Sequence, residues 1–309
     1  MPRSLTESRI PYLFEAVRCG TIRAAADRLD VAPSAVSRQI DLLEKELAMS
    51  LIERHARGVT PTQAGEHLIR YHREQLAHRD DLLSRLDEMR GLRRGHVDVV
   101  LGEGFVTDVL AAPLKRFLAA YPSLSVTLDL AGTNEVVRRV SEDEAEIGLV
   151  YSPPTEPRIV SRAIRRQPLK AIVAPGFALL GKRRALTPRE LLDFPLALTH
   201  PAYGTRQIVA AVEFAERLRY APAVTTNSIA IVKQFVRFEL GIGCLPAFAV
   251  AAELDAGELH AIDLDHPLFA SAEAHLITRV GRKLSVAANR MLQMMSTQMR
   301  AFRDQPAVL

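Results

Sequence analysis

From Gly20 to Leu47 the apolar residues recur at helical spacing in two short blocks with a polar break between them. The first block opens on Thr21, whose hydroxyl suits an N-cap, and puts Ala25, Ala26 and Leu29 on one face. Alanines there let a second helix approach closely. The break is Asp30-Val31-Ala32, where a short polar residue favours a turn and Val31 can drop between the helices. Pro33 suits the first turn of the second block, in which Val36, Ile40, Leu43 and Leu47 form the buried stripe. The pattern predicts a helix-turn-helix with helices over 21–29 and 33–47. Ser34, Ser37, Arg38 and Asp41 fall on other faces, the first three within the opening turns of the second helix. Serine permits close approach and arginine supplies a forked donor, which is what the front of a recognition helix needs at base edges and phosphates in a major groove. An ordinary helical hairpin with a solvated arginine has the same periodicity.

Residues 51–62, L-I-E-R-H-A-R-G-V-T-P-T, read as a hairpin with Arg57-Gly58 at its tip, a cation beside a residue tolerant of positive φ. Such a wing can enter a minor groove, where width and potential are read. Thr60 or Thr62 can cap the next helix, and Thr60 with Gln63 fits a capping box. No proline then interrupts the run to Arg90. Leu68, Tyr71, Gln75, Leu82, Leu86 and Met89 keep near-heptad spacing while charged residues cover the remaining surface. Too few residues precede this helix to bury so long a seam, so a partner helix and a homodimer are expected.

Beyond residue 95 strands and helices alternate. Strands are predicted at 96–101, 124–130, 147–151, 159–165, 169–174, 196–198, 223–226, 242–245, 259–262 and 274–278. Helices are predicted at 109–121, 135–142, 188–192, 206–218, 229–239 and 285–302. The opening βαβαβ implies a parallel sheet, and Ser152-Pro153-Pro154 breaks it before a second alternating series. The loops after strands are where ligands bind in such folds, which selects four segments. They are Glu103, Gly104, Phe105, Val106 and Thr107; Thr133 and Asn134; Tyr203, Gly204, Thr205 and Arg206; and Thr226, Asn227 and Ser228. Each precedes a helix whose amides can hold an anion, and each can equally be a helix cap. Gly102 and Gly104 lack the third glycine of a dinucleotide fingerprint. Arg206 and the helix N-termini favour a carboxylate or phosphate, whereas Glu103 opposes an anion or pairs with an amine. The expected ligand is a small polar or anionic metabolite.

The ensemble resembles the LysR-type transcriptional regulators. The residues that carry the resemblance are Ala25, Ala26 and Leu29, the A-V-S-R-Q-I of 35–40, Glu53 and Arg54, and the T-x-A-G of Thr62, Ala64 and Gly65. The resemblance implies DNA contacts from Thr21, Ser34, Ser37, Arg38, Arg54 and Arg57, to which we add Arg23, Pro33 and Thr62. It implies an α + α/β architecture: a winged helix-turn-helix DNA-binding domain over 1–62, a linker (dimerisation) helix over 63–93, and a bilobal, periplasmic-binding-protein-like effector domain over 94–309. Lobe I is expected at about 95–165 and 267–309, lobe II at about 166–266. The partners implied are double-stranded DNA with an inverted-repeat operator, an effector between the lobes, RNA polymerase, and further copies in a homodimer or homotetramer. Ala32-Pro33-Ser34 stands where the family usually has Ser-Gln-Pro, and Ile22 replaces a usual phenylalanine, so base preference is expected to differ from the family's common operators.

Composition agrees. The chain has 309 residues, enough for two or three domains, and a net charge of only +4, so DNA binding must come from a local patch rather than a global field. Met1 to Arg9 is polar and no apolar run approaches a membrane span, so a cytoplasmic protein without a leader or membrane partner is expected. Cys19 and Cys244 are expected to be structural thiols. The nine histidines show no H-x-x-H spacing, and no G-x-S-x-G or P-loop occurs. An enzyme, a cofactor and a metal site are therefore not expected. A solute-binding protein needs export, and a nucleoid-type DNA binder needs no α/β crevice.

Overall fold

The computed structural model describes residues 5–55, 58–89, 95–177 and 185–303. The chain divides into two compact units, 1–82 and 83–309. The first unit holds α1 (Ile10–Cys19), α2 (Ile22–Leu29), α3 (Pro33–Leu47), β1 (Ile52–His55), β2 (Gly58–Pro61) and the front of α4 (Gln63–Met89). Thr21 caps α2, its hydroxyl accepting from the Ala24 amide at 3.1 Å. α2 stops at Asp30, which adopts φ 54°, and the Val31 amide returns to the Ala26 carbonyl. The predicted stripe is the core: Ala25, Ala26, Val36, Ile40 and Leu43 are fully buried against Ile10, Leu13 and Ala16 of α1. Each of the larger aliphatic side chains contributes about 1.5–3 kcal/mol by leaving water.

β1 and β2 pair antiparallel from Ile52↔Pro61 to His55↔Gly58. Of the two threonines, Thr62 caps α4, accepting from the Gly65 amide at 3.1 Å and donating to the Ser50 carbonyl at 2.7 Å, while Thr60 lies in the ladder opposite Glu53. The front of the α4 seam serves its own domain. Ile69 is buried, Leu68 and Tyr71 pack on the same core, and the Tyr71 hydroxyl donates to the Glu7 carboxylate at 2.5 Å while accepting from Gln75. Leu82 and Leu86 are exposed at 57% and 47%; the side chain of Met89 lies outside the described residues.

The second unit runs β3 (Gly95–Leu101), a helical run α5 (106–120), β4 (Leu124–Leu130), α6 (Thr133–Ser141), β5 (Ile147–Tyr151) and β6 (Ile159–Arg166). It continues with β7 (Leu169–Val173), β8 (Leu196–Thr199), α7 (Gly204–Ala215), β9 (Val224–Thr226), α8 (Ile229–Arg237), β10 (Ile242–Pro246) and β11 (His260–Asp263), then returns through β12 (Glu273–Arg279) and α9 (Val286–Gln298). Two five-stranded sheets result, ordered β4-β3-β5-β12-β6 in lobe I and β11-β7-β10-β8-β9 in lobe II. Three adjacent strands of each sheet pair parallel, as helical crossovers require; the other two join through antiparallel pairings and lie in segments that carry the chain between lobes. β5 and β10 are buried along their whole length, as central strands covered on both faces must be.

Besides shifts of one to three residues at several ends, the boundaries differ from the pattern for a visible reason at three places. α5 starts at Val106 rather than 109 and widens to a π turn over Leu110–Leu114 around Pro113, which has no N–H to donate. The one-turn helix Pro267–Ala270 packs on α7 and β7, so lobe I resumes only at β12. The last helix ends at Gln298, and a 3-10 turn follows because the buried Asp108 carboxylate accepts the Arg300 and Ala301 amides at 2.9 and 2.8 Å.

Candidate functional site

At the front of α3, Pro33, Ser34 and Arg38 are exposed and Ser37 is half-buried; Thr21 and Arg23 stand at the front of α2. Ala32 offers α3 no side-chain cap, so the first turn keeps donor capacity for a phosphate. Arg54 on β1 reaches to α3, donating to Ser37 Oγ at 3.0 Å and to Asp41 Oδ1 at 2.8 Å. Two sequence candidates far apart in the chain are thus one cluster, held together by Asp41, which the sequence placed on a polar face without a role. The wing is rooted by the Val59 amide on the Gly20 carbonyl at 2.8 Å. Gly58 permits this close approach: at φ 139°, a Cβ there would stand 2.1 Å from the Gly20 oxygen. Arg57 lies outside the described residues. The hydroxyl of Thr62 is engaged on both sides by its own domain.

Within the second unit the four candidate loops meet one another. Thr133 Oγ1 accepts from the Gly204 amide at 2.7 Å, and Gln207 donates to Asn134 Oδ1 at 3.2 Å. Tyr203 donates to the Asn227 carbonyl at 2.8 Å, and Thr199 and Thr205 share a hydrogen bond of 2.7 Å. The Thr226 hydroxyl accepts from the Ser228 amide. Glu103 takes three donors from the start of α8: Ser228 Oγ at 3.0 Å, the Ile229 amide at 2.5 Å and the Ala230 amide at 3.1 Å. Gly204 is required, since a Cβ there would stand 1.9 Å from the Tyr151 carbonyl oxygen. Val106 is half-buried, and Thr107 is exposed on α5.

Beneath the loops the packing is aromatic and buried, with Phe105 against Phe248 at 4.8 Å between centroids and Phe248 against Tyr151 at 6.2 Å. Tyr151 and Phe248 were missed from sequence. The rule that ligands sit beyond strand ends gave the signal for both, since one ends β5 and the other follows β10. Burial pushes the Tyr151 phenol well above the ordinary range, and its hydroxyl donates to the Gln167 carbonyl at 2.6 Å. Arg206 does not face the crevice as a free cation: it donates to Glu213 at 2.7 Å, seven residues on and about 10 Å along the helix axis. One support for an anionic ligand is thereby withdrawn. Burial pushes the Cys244 thiol up to about 12, so it stays protonated and unreactive at neutral pH. Among the described residues no cluster of three or more metal-ligating side chains occurs, and no helix is long and apolar enough to cross a membrane.

Residues 8–66 match the family model described as bacterial regulatory helix-turn-helix protein, lysR family, and residues 90–300 match the LysR substrate binding domain. The chain is similar to a RuBisCO operon transcriptional regulator of Allochromatium vinosum, at 27% identity over 92% of this chain and 93% of that one. Its fold is similar to a full-length OxyR variant from Pseudomonas aeruginosa, with a TM-score of 0.72 at 16% identity, covering 98% and 99% of the two chains. It is also similar to the Synechocystis CcmR regulatory domain in complex with 2-PG, with a TM-score of 0.59 at 21% identity over 66% of this chain and 98% of that one. With both halves matched in order, the chain belongs to the LysR family of transcriptional regulators, in which a DNA-binding helix-turn-helix is joined to an effector-binding α/β domain.

Proposed function

We propose that this regulator reads an inverted-repeat operator with the front of α3 and responds to a small polar metabolite held between lobes I and II. The observation that carries the reading is the exposed front of α3, where Ser34 and Arg38 stand beside the Ser37–Arg54 cluster with no side-chain cap competing for the first turn. Ser34, Ser37 and Arg38 are assigned to base edges and phosphates; Thr21, Arg23, Pro33, Arg54 and Thr62 position the module, and Arg57 enters a flanking groove. The domain division at residues 62/63 and 93/94 follows from these roles. Leu82 and Leu86, exposed on α4, are assigned to the seam of a homodimer or homotetramer, which holds two half-sites at fixed spacing. Effector binding shifts that spacing and the bend of the DNA, and with it contact to RNA polymerase, in the cytoplasm.

Operator titration tests the reading. Arg38→Ala is expected to cost about 1–3 kcal/mol and to relax sequence discrimination, whereas Arg57→Ala weakens all duplexes alike and lowers the salt slope by about 1. No loss in either variant, on fragments footprinted beside the protein's own gene, overturns the docking.

A further inference from the structure

The start of α8 is already occupied by a carboxylate of the chain itself. Ser228 is the N-cap of α8, but its hydroxyl caps nothing in its own helix and donates instead to Glu103 Oε1 at 3.0 Å. The first two amides of the helix, on Ile229 and Ala230, donate to Glu103 Oε2 and Oε1 at 2.5 and 3.1 Å. An N-cap serine ordinarily accepts from its own second or third amide. Here a lobe I carboxylate does that across the crevice, with the three donors that would otherwise hold a free carboxylate or phosphate. Gly104 keeps the loop close, since a Cβ there would already stand 3.2 Å from Ala249 Cβ and Ile229 Cδ1. The neighbouring helix differs: the first amide of α7, on Gly204, donates to the uncharged Thr133 hydroxyl. Arg206 brings no counter-charge to the crevice, being held by Glu213. Burial, and the negative charge of Glu103, hold the proton on Tyr203 more tightly than usual.

We propose that Glu103 is a specificity-determining residue of the crevice: a built-in anion that fills the donor cradle of α8, excludes carboxylate and phosphate effectors from it, and selects an effector presenting a neutral or cationic N–H or O–H donor. An ionised carboxylate has about four acceptor positions. Three are taken, and the one left on Oε2 receives that donor. The proposal rests on the inter-lobe effector reading and sets its ligand class.

The test is thermal unfolding of the full chain in sodium phosphate and in sodium chloride at matched ionic strength. Glu103→Ala orphans two helix amides and is expected to unfold about 2–4 °C higher in phosphate than in chloride, a gain that Ser228→Ala in the same chain diminishes. The wild-type chain is expected to show only the general stabilisation that phosphate, a kosmotrope, gives any folded protein, and the gain of the variant is counted in excess of it. If Glu103→Ala does not fold, Glu103→Gln keeps the volume without the charge and is expected to show a smaller gain of the same sign. Equal phosphate responses in wild type and variant overturn the role of Glu103 and leave the inter-lobe site standing, because this experiment needs no inducer. An inducer located outside the crevice, with the phosphate gain intact, removes the inter-lobe reading and the specificity claim with it.

Discussion

At the residue level, the surface proposed to meet DNA carries a pairing that no local pattern contains. Arg54 and Asp41 are each about half exposed, at 49% and 50%, and lie 2.8 Å apart, so their attraction is screened and weak, but it sets where the guanidinium points before DNA arrives. Releasing it should make Arg54 a better phosphate ligand. Asp41→Ala is therefore expected to raise affinity for unrelated duplexes about two- to five-fold and to steepen the salt dependence. Titrations at several salt concentrations check this, and unchanged binding would mean that Asp41 has no part in docking. Ser34 and Arg38 were legible in the sequence because helical period alone puts them opposite the Val36–Ile40–Leu43 stripe. The Arg54–Asp41 contact was not, since it depends on how β1 folds back over α3.

At the level of elements, short-range chemistry explains most boundaries. Thr21 and Ser285 cap α2 and α9 through their hydroxyls, and Asp30 ends α2 in the left-handed region. The glycine of the T-x-A-G stretch has a different reason: a Cβ on Gly65 would stand 2.0 Å from the Leu51 carbonyl oxygen, so α4 can start this close to β1 only if residue 65 has no side chain. Gly65→Ala is expected to destabilise the N-terminal unit by about 1–3 kcal/mol and to weaken operator binding by misplacing the wing. Gly257→Ala, where nothing lies within 4 Å and only φ 70° is unfavourable, should cost about 1 kcal/mol and leave DNA binding unchanged. Urea unfolding of both variants separates steric from torsional cost; equal losses would remove the close-approach account. The π turn at Pro113 and the single-turn helices were invisible to pattern reading, because four or five residues carry too little periodicity to register.

For the whole molecule, one apolar core runs through both lobes, and polar contacts between the candidate loops add to it at the strand ends. Removing the Thr133 hydroxyl leaves the Gly204 amide without its acceptor, and removing that of Thr226 loosens the turn that presents Ser228. Thr133→Val and Thr226→Val are each expected to shift the inducer midpoint about five-fold, the worth of one hydrogen bond, without changing operator affinity. Inducer titration of an operator complex checks it, and unchanged midpoints in both variants exclude these loops from the site. The sequence by itself determined the helix-turn-helix, the wing, the alternation of strands and helices and the four loops at strand ends, because helical and strand periods and cap chemistry act over a few residues. Only the tertiary structure decided that Glu103 caps α8, that Arg206 turns to Glu213 and that Phe105 and Tyr151 pack on Phe248. The Glu103 and Phe105 contacts join residues more than a hundred positions apart and depend on how the lobes pack, a balance of burial and hydrogen bonding that no local stretch encodes.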